Sequence, residues 1–472
     1  MSDAHEARPW ARRAVVLALA VGLWLVPVPS GLTAEAWQLF AIFASAIVSV
    51  VIGAFPLLMA SLLAAAAVVL TSTLKPEAAF ASFANPTVLL VISAFLVSLA
   101  VVKSGLGRRI SLRMVSRFGR SPLGLAYSLV LTDTVIAPAF PSNTARGGVL
   151  YPVVRSLALD LGSEPGADSP SRKLGGYLMF TAMASLGLSS VLWLTATSTN
   201  VVSVQIAEGA GVPMGGFMSW FVASSVPTLV ALAILPLVLL KLCPPGVRAT
   251  PDAPAAARKA LAEMGAFSRS ELLTSIVFGV MVLCWGTSGV FGLNQTAVAF
   301  GGLGLLLALR VLTLKDIAEQ GDTLSTFIWL AVLFGLSAQL NELGFMTWAG
   351  ERMAGQLTGL SWPTTYVALI VVYVAVHYLF VSQTAHVLAL LAVFLDVGSR
   401  QGVPAPLLAH ALAFASCYFS VIAPQGGSQN IIFVASGYLT QRELYRTGLL
   451  LVLLYLVVYL VVGTPWLMLV TG

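Results

Sequence analysis

The chain has 472 residues, of which 58% are hydrophobic and only 9% are charged, and its mean hydropathy is +0.93. A soluble domain carries about a quarter charged residues, so this composition excludes an ordinary soluble protein and predicts a polytopic membrane protein. The 25 Lys and Arg against 19 Asp and Glu give a net charge of +6, which in a membrane protein reports orientation and does not indicate nucleic-acid binding.

Uncharged stretches long enough to cross about 30 Å of hydrocarbon recur through the first half of the chain. The predicted crossings are residues 14–34, two helices within 36–74, and residues 85–104 and 213–240. Pro56 supplies the break inside the second stretch. The segment 107–120 alternates arginines with apolar residues, which predicts a helix lying in the headgroup plane.

Two segments of the first half are interrupted. In residues 121–160, Pro138 and Pro141 precede a polar tip between two apolar half-helices, which predicts a re-entrant hairpin whose broken tip is surrounded by protein. Residues 174–207 are uncharged but contain the polar run TATSTN at 195–200, which predicts an unwound helix.

The second half repeats this plan after a polar linker at 243–270. The predicted elements are crossings at 271–292, 294–314, 323–344 and 444–470, a hairpin at 362–402, and an unwound helix at 404–439 interrupted by APQGGSQN at 423–430. Phe95, Ser98 and Gly105 match Phe334, Ser337 and Gly344 at a constant offset. Internal duplication with discontinuous helices is typical of secondary transporters.

The predicted fold is therefore all-α, with about eleven transmembrane helices and two re-entrant hairpins. Residues 1–242 form a first repeat and residues 271–472 a second, inverted one, and the hairpins and unwound helices meet at the midplane. With the N-terminus in the cytoplasm, only Lys75, Arg352 and Arg400 fall outside, and Arg146 lies within the membrane. This charge asymmetry predicts a plasma or inner membrane protein with its C-terminus outside.

The two predicted tips, FPSNTARGG at 140–148 and FVSQTAHVL at 380–388, carry related polar residues in apolar surroundings. Half-helices that end at the midplane point unsatisfied N–H groups and positive dipole ends at whatever lies between them. The tips and unwound segments therefore predict one anion site. Its predicted binding residues are Ser142, Asn143, Thr144, Thr197, Ser198, Ser382, Gln383, Thr384, Gly427 and Ser428.

Arg146 and His386 each lie two residues after the threonine of their tip, so they are equivalent positions. A buried arginine needs a partner, and a cation beside a helix N-terminus is unfavourable unless it compensates a bound dianion. We therefore predict that both side chains compensate anion charge. Two alternatives remain open: Asp133 could pair with Arg146, and His386 could be neutral. His377 and His410 are interpreted as packed or interfacial histidines.

These motifs make the chain resemble the divalent anion:sodium symporter family over nearly its whole length. The resemblance is carried by PSNTARGG, GSEPG followed by SRKLGGYLM, FIWLAVLFGLSAQLNELGF, VSQTAH and IIFVASGYL. Within the family the chain is similar to the citrate and 2-oxoglutarate/malate exchanger branch. The resemblance implies a homodimer with an elevator motion. It also implies that Arg146 and His386 stand in for coupling Na⁺ ions, so that one dicarboxylate is exchanged for another without sodium.

The sequence departs from that branch at the unwound segments. Ala423 and Pro424 stand where exchangers often have Thr-His, and residues 196–199 are ATST where Gly-Met-Ala-Ala is common. Hydroxyl and carbonyl oxygens suit hard cations, so a Na⁺-coupled dicarboxylate or sulfate symporter remains the alternative. A channel or a membrane enzyme is a weaker hypothesis, because occluding hairpins favour a carrier and the chain has no G-x-S-x-G, H-E-x-x-H or paired Cys/His motif. No metal or cofactor is predicted; the predicted partners are small dicarboxylate anions and the bilayer.

Overall fold

The computed structural model describes residues 8–166, 171–355 and 359–471. These residues form helices joined by short connections, and no strand occurs among them. In that part of the chain, ten helices are long and apolar enough to cross a membrane. The prediction of an all-α polytopic protein is confirmed.

The helices of the first half precede the linker. They are α1 (Arg8–Leu25), α2 (Ala34–Val51), α3 (Leu57–Leu70), α4 (Pro76–Phe80), α5 (Pro86–Ser104), α6 (Leu106–Phe118), α7 (Pro122–Ile136), α8 (Asn143–Asp160), α9 (Arg172–Leu192), α10 (Ser198–Gly209) and α11 (Phe217–Leu242). The first crossing, predicted at 14–34, ends earlier, at Leu25. Pro27 and Pro29 follow this end, and proline cannot continue the helical hydrogen-bond ladder.

The remaining helices begin in the linker. They are α12 (Ala253–Glu263), α13 (Arg269–Gly286), α14 (Ser288–Phe291), α15 (Gln295–Ala308), α16 (Leu314–Ala318), α17 (Gly321–Glu342), α18 (Phe345–Ala354), α19 (Trp362–Val376), α20 (Gln383–Arg400), α21 (Ala405–Tyr418), α22 (Ser428–Val434), α23 (Gln441–Val458) and α24 (Thr464–Thr471). A π-helical turn, Tyr459–Gly463, joins the last two.

Both predicted hairpins and both unwound helices are present. Each hairpin descends through an apolar helix and a 3-10 turn, Ala137–Ala139 or His377–Leu379, and returns through α8 or α20. The first unwound segment joins α9 to α10 through the 3-10 turn Leu194–Ala196. The second joins α21 to α22 through two 3-10 turns, Phe419–Ile422 and Pro424–Gly426.

Equivalent helices of the two halves run in opposite directions. Lys103, at the end of α5, pairs with Asp316, which precedes α17, with 2.6 Å between Nζ and Oδ2. The hydrogen bond from Lys103 and those from Thr313 lower the pKa of Asp316 to about 2, so this contact persists at neutral pH. The last turn of α5 and the first turn of α17 therefore lie on one face of the molecule, as an inverted repeat requires.

The linker lies on that same face. Arg109 of α6 pairs with Glu271 at the start of α13, with 2.5 Å between Nε and Oε1, and its Nη1 donates to the Gly265 carbonyl. We call this side the linker face. The first hairpin begins here, since Thr250 of the linker bonds to the carbonyls of Gly119 and Arg120.

The second hairpin begins on the opposite face. Arg352 and Trp348 of α18, which lead into it, donate to the Ser30 carbonyl between α1 and α2. The two halves also exchange elements: α10 of the first packs on α20 of the second, and α22 of the second packs on α8 of the first. The hairpins thus enter from opposite faces and meet inside the protein.

Candidate anion site at the paired hairpin tips

A cavity of about 400 Å³ lies where the two tips and the two unwound segments meet. This size is within the range of small-molecule sites in proteins. Nine of the ten predicted binding residues line it: Ser142, Asn143, Thr144, Thr197, Ser198, Ser382, Gln383, Thr384 and Ser428. The tenth, Gly427, is buried and is not among the lining residues.

The two tips have the same local geometry. Ser142 caps α8 by accepting from the Ala145 amide at 3.2 Å, and Ser382 caps α20 by accepting from the Ala385 amide at 3.3 Å. An N-cap serine satisfies one of the free N–H groups of the first helical turn. The tips touch each other through Asn143 and Gln383, whose Nδ2 and Oε1 are 3.4 Å apart.

Each tip is also held by the unwound segment of the other half. The Thr144 and Ser428 hydroxyls are 2.6 Å apart. On the other side, the Thr384 hydroxyl lies 3.0 Å from that of Thr199 and 3.4 Å from that of Ser198. The unwound segments therefore contact the tips that the sequence places with them in one site.

The final asparagine of each unwound segment joins the broken helix ends. Asn200 Nδ2 donates to the carbonyls of Ser190 and Trp193 at 2.7 and 3.0 Å. Asn430 Nδ2 donates in the same way to Ser420 and Ala423 at 2.7 and 3.1 Å. These bonds satisfy carbonyls that the unwinding leaves free, so the asparagines hold the segments open without contacting the cavity.

The electrostatics of the cavity suit an anion at the tips. Helices α8, α10 and α20 all begin at its wall, and their N-terminal N–H groups and dipoles attract negative charge. The hydroxyl and amide side chains listed above add donors. The other wall is the second half of α5 and the first turns of α17, so the cavity extends from the tips toward the linker face.

Sequence reasoning missed that second wall. It comprises Phe95, Ser98, Leu99, Gln320, Asp322, Thr323, Thr326 and Trp329. Phe95 and Ser98 had been singled out only as markers of the repeat, and hydropathy alone does not distinguish a lipid-facing side from a cavity-facing side. Asp322 is exposed and carries the same charge as the expected ligand, so the attraction for an anion comes from the tip end of the cavity.

Arg146 lies behind the first tip and does not line the cavity. Its guanidinium is fully buried, and Nη2 donates to Asn143 Oδ1 at 2.6 Å and to the Leu186 carbonyl at 3.0 Å. Nη2 also contacts Ser190 Oγ, while Nη1 donates to Ser189 Oγ at 2.6 Å. The guanidinium therefore orients the tip amide from behind.

Asp133 is the ion-pair partner of Arg146. Its Oδ1 accepts from Nη1 at 2.8 Å, both side chains are fully buried, and Oδ2 accepts from the hydroxyls of Ser185 and Ser189. Of the alternatives weighed from the sequence, the pairing with Asp133 is the one found. The charge of Arg146 is therefore paired within the protein, and its role in compensating a bound anion stays a prediction.

His386 occupies the equivalent position behind the second tip and is also fully buried. Aromatic rings surround it: the ring centroids of Tyr373, Phe380 and Phe419 lie 4.3, 4.8 and 4.9 Å from that of the imidazole. Its Nδ1 lies 3.3 Å from Nδ1 of His377. His377 is buried and stacked on Phe419, as predicted for a packed histidine.

Residues 7–472 match the family described as the sodium:sulfate symporter transmembrane region. The putative malate transporter YflS of Bacillus subtilis is 40% identical over 96% of this chain and 95% of its own length. The chloroplastic dicarboxylate transporter 2 of Spinacia oleracea is 37% identical over 96% of this chain and 81% of its length. The inner membrane protein YbhI of Escherichia coli is 31% identical over 96% of each chain.

Among solved structures, the YdaH transporter of Alcanivorax borkumensis has the same fold, with a TM-score of 0.56 over 83% of this chain and 86% of that one, at 16% identity. The match of the family description to almost the whole chain, together with these relatives, confirms the resemblance drawn from the tip motifs. It also confirms a transporter and not an enzyme. The chain belongs to the sodium:sulfate symporter family, the divalent anion:sodium symporters.

Proposed function

We propose that this protein is a secondary active transporter that exchanges one di- or tricarboxylate anion, of the 2-oxoglutarate, malate, succinate, citrate or tartrate type, for another. Transport proceeds by elevator-type alternating access and does not require Na⁺. The names of the relatives in Bacillus subtilis and Spinacia oleracea, a malate and a dicarboxylate transporter, support the substrate class. The donor-rich cavity at the tips supports binding of an anion.

The observation that best supports transport without Na⁺ is the environment of the Arg146 guanidinium. It donates to oxygens of Asp133, Asn143, Leu186, Ser189 and Ser190 directly behind the first tip. Carboxylate, carbonyl and hydroxyl oxygens in such a cluster are the ligands that a hard cation takes. A guanidinium that fills the cluster leaves no room for the ion, and it stays charged throughout the transport cycle.

The substrate carboxylates are proposed to bind at the two tips. One carboxylate is held at the first tip, by Ser142, Asn143, Thr144 and Ser428. The other carboxylate is held at the second tip, by Ser382, Gln383, Thr384, Thr197 and Ser198. Gly427 supports the site through its backbone, just before α22. Arg146 and His386 support the tips from behind. In this assignment the side chains of Asn143 and Gln383, which contact each other, join the two carboxylate sites.

Orientation follows from the distribution of basic residues. The linker face carries Arg108, Arg109, Arg113 and the linker arginines and lysine, so it is proposed to be cytoplasmic. The N-terminus is then cytoplasmic, the C-terminus is outside, and the cavity is open to the cytoplasm. We further propose that the repeats are bounded as residues 1–242 and 271–472, that the protein works as a homodimer, and that the membrane is the plasma or inner membrane.

Counterflow in proteoliposomes tests this function. Labelled malate, 2-oxoglutarate, succinate and citrate are offered to vesicles that are empty or preloaded with malate, in Na⁺ or in choline medium. Exchange predicts rapid uptake only into preloaded vesicles, at the same rate in both media. Uptake that requires Na⁺ and ignores internal malate would establish symport, and failure to transport any of the four anions would contradict the substrate class.

One observation favours the Na⁺-coupled symporter as second candidate. Around the second unwound segment, buried Asn430 Oδ1, Ser420 Oγ and both side-chain polar atoms of Gln429 have no hydrogen-bond partner in the described part of the chain. Unpaired buried oxygens are costly unless a cation or water binds them. A Na⁺ dependence that disappears in Gln429→Leu, which removes no hydrogen bond of the described chain, with exchange retained, would identify this region as a residual cation site.

A further inference from the structure

The His377–His386 pair behind the second tip has a hydrogen-bond pattern that fixes where its protons lie. His377 Nε2 lies 2.6 Å from the carbonyl oxygen of Gly426. A carbonyl only accepts, so this nitrogen carries a proton. Gly426 permits the approach, because a Cβ there would lie 2.6 Å from the Ser420 carbonyl oxygen and 3.5 Å from His377 Nε2.

The protonation of the other three imidazole nitrogens follows from that of His377 Nε2. A neutral imidazole has one donor and one acceptor nitrogen, so Nδ1 of His377 is the acceptor. It faces Nδ1 of His386 at 3.3 Å, which must then be the donor. Nε2 of His386 is therefore unprotonated and keeps a free lone pair. This nitrogen is buried and has no hydrogen-bond partner in the described chain. The pair thus holds an unused proton acceptor one helical turn from the second tip.

Aromatic rings around His386 offset part of the cost of burying an imidazolium there. Aromatic faces within about 6 Å attract a cation, and Tyr373, Phe380 and Phe419 all lie within that distance. Among the described residues, the ionisable groups in contact with it are Tyr373 and His377. The thiol of Cys417, on α21, is directed at Asn200 Oδ1. Asp396 and Glu351 lie toward the far end of α20 and of α18, where both pair with Arg400.

We propose that Nε2 of His386 is a proton-binding site loaded when an anion binds at the second tip, and that His377 is the positioning residue that keeps this nitrogen free until then. A solvated proton from the bulk solution adds to the Nε2 lone pair and forms an N–H bond, and it returns to the solution when the anion dissociates. Anion and proton bind cooperatively, since opposite charges one helical turn apart in a buried site raise each other's affinity. The proposal rests on the proposed binding of anions at the tips.

The first test measures protons directly. Purified protein in weakly buffered detergent solution with a pH indicator is mixed with 2-oxoglutarate or succinate above about pH 6, where aliphatic carboxylates are already ionised. We expect uptake of up to about one proton per bound anion, the most that one imidazole can accept. His386→Gln, whose amide cannot take a proton, should bind the anion more weakly and reduce the uptake to near zero.

The second test reads the tautomer. The chain has 4 histidines, so nitrogen NMR of ¹⁵N-histidine-labelled protein can be assigned by single replacements. Without anion, His386 should be protonated at Nδ1 alone, and with 2-oxoglutarate at both nitrogens. His377→Asn, whose Oδ1 can replace the accepting Nδ1, should keep this tautomer. His377→Gln retains only a donor toward Gly426 and should lose it.

Calorimetry of anion binding separates the possible failures. If neither anion binds, the proposed function is wrong, and the anion-free spectrum still reports the tautomer. If anions bind normally without proton uptake, or if His386 carries its proton at Nε2 before binding, this proposal is overturned while the exchanger remains. Identical spectra for His377→Asn and His377→Gln would overturn the positioning role.

Discussion

Behind the two hairpin tips lie two buried clusters in equivalent positions, built with opposite chemistry. We call them the arginine cluster (Asp133, Arg146, Ser185, Ser189, Ser190) and the histidine cluster (Tyr373, His377, His386, Phe419). Arg146 corresponds to His386, and Asp133 corresponds to Tyr373, since each lies equally far before its tip serine. An ion pair in the first half is thus replaced by an aromatic ring contact in the second.

The difference shows how a duplicated fold supports the same tip in two ways. The arginine cluster is held by charge-assisted hydrogen bonds, and the net charge of its ion pair is near zero whatever the ligand state. The histidine cluster is held by ring packing and two bonds between neutral groups, so its charge can change. The first cluster is therefore a support of fixed charge, and the second is the one to which we assign the response to a bound anion.

Breaking the arginine cluster should have the largest effect. Arg146→Gln leaves the carboxylate of Asp133 fully buried without its cation, and removing one partner of such a pair costs about 3–5 kcal/mol. His386→Gln removes no ion pair and should cost about 1–3 kcal/mol, the price of an unsatisfied buried polar group. Thermal unfolding in detergent, followed by tryptophan fluorescence, measures both.

The double variant Asp133→Asn with Arg146→Gln is the matched control, because it restores neutrality within the cluster. It should unfold at a temperature closer to wild type than the single variant does. If the double variant folds and still exchanges dicarboxylates without Na⁺, then the guanidinium is only structural. Gain of Na⁺-dependent uptake in it would support the view that Arg146 takes the place of a cation.

The broken elements of the fold were predictable because proline and clustered polar residues interrupt a helix locally. Pro138 and Pro141 come just before the polar residues of the first tip, and TATSTN and APQGGSQN mark the unwound segments. The C-terminal end of α1 was predicted too late, at residue 34 instead of Leu25, although Pro27 gave the signal for the earlier end. The partner of Arg146 was foreseen only as an alternative, because two residues in different half-helices meet only after the hairpin folds.

The two unwound segments differ at Gly426, which corresponds to Ala196 of the first segment: each lies four residues before the final asparagine. A Cβ at Gly426 would lie 2.6 Å from the backbone oxygen of Ser420, so Gly426→Ala must move the segment and break the bond from His377. Overpacking of this kind costs about 1–3 kcal/mol. We expect a lower unfolding temperature and a loss of the Nδ1–H tautomer of His386 in nitrogen NMR.

Gly209 provides the control for that substitution. It ends α10, the half-helix that follows the other unwound segment, and a Cβ there would have no neighbour within 4 Å. Gly209→Ala should therefore leave stability and transport unchanged or slightly improved. An equally mild effect of Gly426→Ala would show that the close approach of this backbone to His377 is not required.

The cavity wall could not be predicted because it depends on which of two equivalent surfaces is open. Thr326 of α17 lines the cavity, whereas Thr87 of α5, at the offset that relates the repeats, is buried outside it. Inverted repeats can exchange roles when the protein opens to the other side. In that state, the segment around Thr87 should line the cavity, as the segment around Thr326 does in this structure.

Cysteine labelling tests this exchange and should have the smallest effect on stability, since Thr→Cys is nearly isosteric. In a protein with Cys243→Ser and Cys284→Ser, and with Cys417 kept because it is fully buried, Thr326→Cys should react with a membrane-impermeant thiol reagent from the linker face only. Thr87→Cys should react slowly, from the opposite face, and faster during exchange of malate. Labelling of both positions from one face, unaffected by malate, would contradict alternating access by exchange of the two repeats. It would leave the arginine and histidine clusters as supports of a site that opens to one side only.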